Sequence, residues 1–214
     1  MELTFHGHAC VSLRGNTGTV VMDPYKSGAL GGAIGFAPVK AQADWVTVSH
    51  YHTDHAYISP DLGSPVVVDQ TAGFDRIDFT GRSTYHDRFY GTKMGLTTMF
   101  SFEFDGLRIA HLGDIGCELT EEDVRTIGPV DILIFPVGGT YTLGPEDASS
   151  VLAALAPRLA IPVHFECEGC RLGLHPVEAL EGHVGPYTRP RTSHWTSGDG
   201  LPDTGSVLIL EPAN

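Results

Sequence analysis

Ten residues constrain this chain more than any others: Val46-Thr47-Val48-Ser49-His50-Tyr51-His52-Thr53-Asp54-His55. A short apolar strand runs directly into three histidines and an aspartate. Imidazole and carboxylate are ligands that suit zinc, iron and manganese. His50 and His52 stand at i and i+2, which in extended chain puts both rings on one face. Asp54 and His55 follow after the strand has ended, where a turn aims them at a second point. Two ligands for one ion and two for its neighbour is what a two-metal site needs, with ions about 3.5–4 Å apart. The alternative is a loop cluster whose histidines are solvated or cap backbone. The cost of ending a buried strand in unpaired polar groups argues against it.

At 214 residues the chain is long enough for a sizeable core, and it reads as one domain spanning 1–214. Its hydrophobic content of 42% predicts a packed globule. The formal charge of −13 repels phosphate backbones and argues against a general nucleic-acid binder. Met1-Glu2-Leu3-Thr4 lacks the pattern of a signal peptide, and no apolar run approaches the ~20 residues of a membrane helix. The expectation is a cytoplasmic protein, without membrane association, whose cysteines Cys10, Cys117, Cys167 and Cys170 are reduced.

In chain order, Leu3 to Phe5, Ala9 to Leu13 and Thr19 to Met22 read as an antiparallel meander, with Gly15-Asn16-Thr17-Gly18 as a turn. His6-Gly7-His8 are ligands or surface histidines, and Asp23 is a turn residue or a carboxylate that orients a ligand imidazole. The glycine-rich run Gly28 to Gly35 reads as a mobile loop. Ser83 to Tyr85 is a strand that delivers His86 and Asp87. Thr98 to Phe104 alternates so that one face is buried. Asp105-Gly106 is a hairpin signal leading to Leu107 to Ala110 and then His111-Leu112-Gly113-Asp114.

Thr120-Glu121-Glu122-Asp123 starts a helix to about Ile127, and Pro145-Glu146-Asp147 opens another to about Leu155. Ile132 to Phe135 is a buried strand, and Leu159 to Val163 is a strand delivering His164. Pro176 to Leu180 is a short helix and Val207 to Leu210 a closing strand. The whole is an α/β (α+β) pattern of two mixed sheets packed together with helices outside. His50, His86, Asp114 and His164 each fall at or just past the end of an apolar segment, where a rigid scaffold can hold ligands.

With these residues the chain resembles the metallo-β-lactamase fold superfamily. The signature is His-x-His-x-Asp-His at positions 50 to 55, followed by an isolated His, an Asp and a last His after successive strands. Phe5-His6-Gly7-His8-Ala9, Val21-Met22-Asp23-Pro24, His111-Leu112-Gly113-Asp114, Tyr141 to Ala148 and Ile161-Pro162-Val163-His164-Phe165 resemble the L-ascorbate-6-phosphate lactonase-like branch. The resemblance implies an αββα sandwich with a one- or two-metal centre between the sheets. It implies that His50, His52 and His86 hold one ion, that Asp54, His55 and His164 hold a second, and that Asp114 bridges them. Ile115 stands where a Thr or Ser is expected after Asp114, and the segment from about Arg171 to Gly200 has no clear counterpart.

The expected activity is hydrolysis of a small lactone, ester or phosphoester by metal-activated water, the metal being zinc first, with manganese, iron or nickel as alternatives. Asp54 orients the nucleophile or shuttles its proton, and His8 contacts substrate or stabilises developing charge. His111 shares that role or satisfies a nearby carbonyl, while Asp23 and Asp87 orient ligands. A phosphodiesterase or nuclease, and a non-catalytic metal-binding or sensor protein, are the competing functions; a homo-oligomer is left open. Cys167-Glu168-Gly169-Cys170 is a redox pair, half of a zinc site, or two thiols in a loop, the last being preferred. Arg88, Arg171, Arg189 and Arg191 are candidates to meet a substrate phosphate or carboxylate, and no sequence argument picks one.

Overall fold

Apolar side chains on both faces of the first strands build two layers. In a strand, neighbouring side chains point to opposite faces. Val20 and Met22 join the main core, while Val21 between them joins a smaller cluster with Tyr25, Ile34, Phe36 and Val46. Trp45 and Val46 divide in the same way. The computed structural model describes residues 1–202 and 205–213.

The first sheet opens with β1 (Glu2–Gly7), β2 (Cys10–Arg14), β3 (Thr19–Met22), β4 (Trp45–Thr47) and β5 (Val66–Val68). The second starts with β6 (Ala72–Phe74), β7 (Ile77–Tyr85), β8 (Leu96–Phe104) and β9 (Leu107–His111). It continues through β10 (Ile132–Pro136) and β11 (Leu159–Val163) to β12 (Tyr187–Thr188). The chain then returns to the first sheet with β13 (His194–Thr196) and to the second with β14 (Ser206–Leu208). The strand orders are β13-β1-β2-β3-β4-β5 and β12-β14-β11-β10-β9-β8-β7-β6. Each sheet is antiparallel in one part and parallel in the other, the change falling at β3 and at β9. The fold is therefore the expected α/β sandwich of two mixed sheets. Aromatic rings link them: Trp45 of β4 lies 6.5 Å from Phe79 of β7.

Helices are few: α1 (Ala29–Gly32), α2 (Glu121–Ile127) and α3 (Ala148–Leu155). The start of α2 is as the sequence reads. The Asp123 N–H donates to Thr120 Oγ1, and the Thr120 N–H donates to Asp123 Oδ2 at 2.9 Å, a reciprocal cap. Arg82 of β7 adds a 2.8 Å bond to Asp123 Oδ1 and ties the helix to the sheet. Among the described residues no helix is long and apolar enough to cross a membrane.

Several expectations need correcting. Met99 to Phe102 are buried on both faces, not one, because α2 also packs on β7 and β8. Tyr187–Thr188 and His194–Thr196 are strands, pairing with β14 and β1, where the sequence showed only a Pro/Gly-rich segment. The β6 strand and the first half of β7 were not legible either. The glycine-rich run is not a free loop. It folds into α1, with Leu30 and Gly31 at positive φ, and the Gly35 N–H donates to Gly169 O at 2.7 Å.

Candidate metal centre

Six polar residues follow strand carboxyl ends by one to three positions: His8 after β1, Asp23 after β3, His50 after β4, His86 after β7, Asp114 after β9 and His164 after β11. Strand ends from both sheets thus converge on one edge of the sandwich. Backbone bonds join the sheets there: the His164 N–H donates to His8 O at 2.8 Å, and the Thr98 N–H to Ser49 O at 2.8 Å. The approach leaves no room for a side chain at Gly113, whose φ is +56° and whose added Cβ would lie 2.6 Å from Ser49 Cβ. His8, Asp23 and His164 have φ of 54°, 45° and 54°, conformations that cost non-glycine residues energy and cluster at functional sites.

One hydrogen-bond chain orients two of the rings. The Ser49 hydroxyl donates to Asp23 Oδ2 at 2.5 Å and lies 2.9 Å from His50 Nδ1, so that ring's N–H donates to Ser49 Oγ. The His55 Nδ1–H donates to the same Asp23 oxygen at 3.0 Å, and the Ser49 N–H donates to Asp23 Oδ1 at 2.7 Å. A proton fixed on Nδ1 directs Nε2 of His50 and His55 to the centre. His86 is held in the same sense, its Nδ1 3.2 Å from Tyr141 O. Asp23 therefore orients imidazoles. Ser49, which sequence reading did not single out, is the joint between them; its signal was a polar residue at the end of an apolar strand, directly before a histidine.

Ring nitrogens face one another. His50 Nε2 and His52 Nδ1 are 3.0 Å apart, and His86 completes one group of three. His8 Nε2 and His55 Nε2 are 3.1 Å apart, and His164 completes a second group. Asp114 Oδ2 reaches both groups: it is 3.4 Å from His86 Nε2, 3.2 Å from His55 Nε2 and 3.1 Å from His164 Nε2. Asp54 Oδ2 lies 3.0 Å from His8 Nε2. Asp23 forms a third group with His50 and His55, but its oxygens already accept hydrogen bonds.

The donor set fits divalent cations. Imidazole nitrogens crowded around one point are the donors that a divalent cation takes. Asp114 Oδ1 is buried with no hydrogen-bond partner among the described residues, an arrangement that is costly without a counter-charge.

The electrostatics agree. Burial lowers His50 to about 3, helped by the neighbouring His55, and burial with the nearby His164 lowers His8 to about 4. Both rings stay neutral and able to ligate. Burial alone would lower His55, but Asp114 and Asp23 raise it well above the ordinary imidazole value. Burial would raise Asp114 and Asp54. His164 and His55 instead hold Asp114 well below the carboxylate range, and the hydrogen bond from His8 does the same for Asp54.

Residues 2–164 match the beta-lactamase superfamily domain. A solved structure from Thermotoga maritima, classed as a Zn-dependent hydrolase of the metallo-beta-lactamase superfamily, is 30% identical and superposes with a TM-score of 0.79 over 98% of both chains. The chain belongs to the metallo-beta-lactamase superfamily. Its relatives include a UPF0173 metal-dependent hydrolase of Thermoplasma acidophilum, 29% identical over 218 residues, covering 87% of this chain and 93% of that one. Another, from Methanoculleus marisnigri, is 29% identical over 194 residues, covering 78% and 81%.

Two residues of this metallo-beta-lactamase superfamily chain, His8 and Asp87, stand elsewhere than the sequence reading placed them. His8 does not line the cavity above the centre; its ring packs 4.5 Å from that of His164, within the second group, and not against substrate space. Asp87 touches no ring. Its carboxylate accepts the backbone N–H groups of Phe89, Gly91, Lys93 and Met94, so it shapes the loop after His86. His111 is fully buried with Nε2 3.3 Å from Ala9 O, the carbonyl-satisfying alternative. His6 bonds Ser12 Oγ at 2.7 Å and stays outside both groups.

Proposed function

We propose that the chain hydrolyses a small ester, lactone or phosphoester at a two-cation centre. As a metal-dependent hydrolase of the metallo-beta-lactamase superfamily, it would hold one ion by His50, His52 and His86. Asp54, His55 and His164 would hold the other, with His8 as an added donor and Asp114 between the two. The observation that carries the reading is Asp114 Oδ2, within 3.1–3.4 Å of ring nitrogens from both groups. The acidic sequence, at −13, favours a small substrate over a polynucleotide, and residues 1–214 act as one unit.

Bound divalent cations supply Lewis acidity: they polarise the scissile group and bring the pKa of water down to about 7. The remaining work falls to the chain. Asp54 lines the cavity floor and, kept ionised by His8, orients the attacking water and accepts its proton. For an ester, the water oxygen bonds to the acyl carbon and the acyl–oxygen bond breaks. The departing oxygen takes the proton from Asp54, so acid and alcohol leave. Asp23 and Ser49 hold His50 and His55 in one tautomer throughout.

Elemental analysis of protein purified without chelator or added metal tests the centre. About two equivalents of metal per chain are expected. No metal, and no uptake on titration, would remove this reading.

A further inference from the structure

The cavity over the centre has a volume of about 440 Å³. Its floor is polar: His52, Asp54, His86, Asp114 and His164. Its walls are not. Leu30, Tyr51, Met94, Tyr141 and Leu172 surround the floor together with Thr53, and among the described residues neither lysine nor arginine lines it. Tyr51 lines the cavity and donates its hydroxyl to Asp69 Oδ2 at 2.6 Å.

The two leucines come from segments that the activity has so far left unexplained. Leu30 sits on the glycine-rich α1 turn, and Leu172 follows the Cys167–Cys170 turn. These turns are bonded to each other. The Gly35 N–H donates to Gly169 O at 2.7 Å, the Arg171 N–H to Ala33 O at 2.9 Å, and the Arg171 guanidinium to Gly32 O at 3.1 Å. Two stretches 139 positions apart thus form one apolar wall. Leu30 is 50% exposed and lines the cavity, where an apolar group of a ligand can cover it.

Several cations are committed elsewhere, and the Arg171 guanidinium beside the wall bonds the Gly32 carbonyl. Arg88 binds Asp147 and Glu146, Arg189 lies between Glu178 and Glu211, and the Lys93 ammonium rests 3.9 Å from the Phe89 ring centre. The wall offers no side-chain cation to a charged substituent and suits an uncharged, apolar one.

We infer that the substrate is a neutral carboxylic ester or lactone carrying an apolar substituent, which the Leu30–Leu172 wall covers. This rests on the hydrolytic reading above and selects within it, against phosphoesters.

The test uses metal-loaded protein and compounds with one leaving group: 4-nitrophenyl acetate, butyrate and hexanoate, 4-nitrophenyl phosphate and bis(4-nitrophenyl) phosphate. The expected kcat/KM rises about tenfold or more from acetate to hexanoate, with both phosphates below hexanoate. Leu30→Ser and Leu172→Ser should each compress the hexanoate-to-acetate ratio by about threefold or more. A flat chain-length series, or a phosphate as the best substrate, overturns the inference and leaves the hydrolase reading intact. Saturation-transfer NMR on metal-free protein with hexanamide and acetamide supplies a readout without turnover. Preferential hexanamide binding, reduced in both serine variants, is expected; equal binding overturns the wall. If no compound is turned over, the hydrolytic reading fails on its own, and the NMR comparison still decides the wall.

Discussion

The floor and the wall of the cavity are built on opposite principles. Each floor residue follows a strand end or lies in the short 50-to-55 motif, and hydrogen bonds through Ser49 and Asp23 lock the neighbouring His50 and His55 rings. The wall leucines, Leu30 and Leu172, sit on turns, and their positions come from backbone bonds between segments far apart in the chain. A rigid scaffold suits groups that must meet within a few tenths of an ångström. Turns docked on one another suit a surface that need only be apolar and close. Chemistry is therefore invested in the sheets and selectivity in the connections.

Substitutions can break this contrast. The largest effect belongs to the floor: Asp114→Ala removes the carboxylate shared by both groups. It should lower kcat/KM by about 1,000-fold or more and reduce metal content on elemental analysis. Full activity with normal metal would refute the shared role. Asp23→Asn should act one step further out. It replaces an acceptor for His55, Ser49 N–H and Ser49 Oγ and should weaken metal affinity by about 10- to 100-fold, read by competition with a chelator.

Protonation sharpens the same contrast. In the metal-free chain His55 is raised well above its ordinary value, so at pH 7 it carries a proton that ligation must displace. His8 and His50, lowered to about 4 and about 3, have none to lose. Metal uptake at pH 7 should release about one proton from these three rings, measured by calorimetry in buffers of different ionisation enthalpy. A raised histidine stabilises the fold fully below its unfolded value of about 6.5 and loses that contribution as pH rises through the folded value. Above pH 7 the Tm of metal-free protein should therefore fall with pH more steeply than that of metal-loaded protein.

The smallest effect on the floor should come from the wall's own cysteines. Burial raises both Cys167 and Cys170 to about 12, which keeps them as thiols and poor ligands. Cys167→Ala with Cys170→Ala should leave metal content unchanged while lowering Tm by a few degrees. Loss of metal would show that the turn belongs to the centre after all.

What the sequence determined by itself was local. The capped start of α2 at Thr120, the Asp105-Gly106 hairpin and the His-x-His-x-Asp-His run each depend on neighbours a few positions away. Strand ends delivering His86, Asp114 and His164 were legible for the same reason, since an apolar run marks its own boundary. Tertiary structure alone decided the rest. It put His8 among ring nitrogens, made Ser49 the joint between two imidazoles, and turned Asp87 and His111 to backbone groups. It also clamped the Asn16–Thr17 turn with the Asp105 carboxylate, and it docked the glycine-rich turn on the Cys167–Cys170 turn. A side chain's type limits which bonds it can make, but the partner it meets depends on how the two sheets pack, and no local window contains that information.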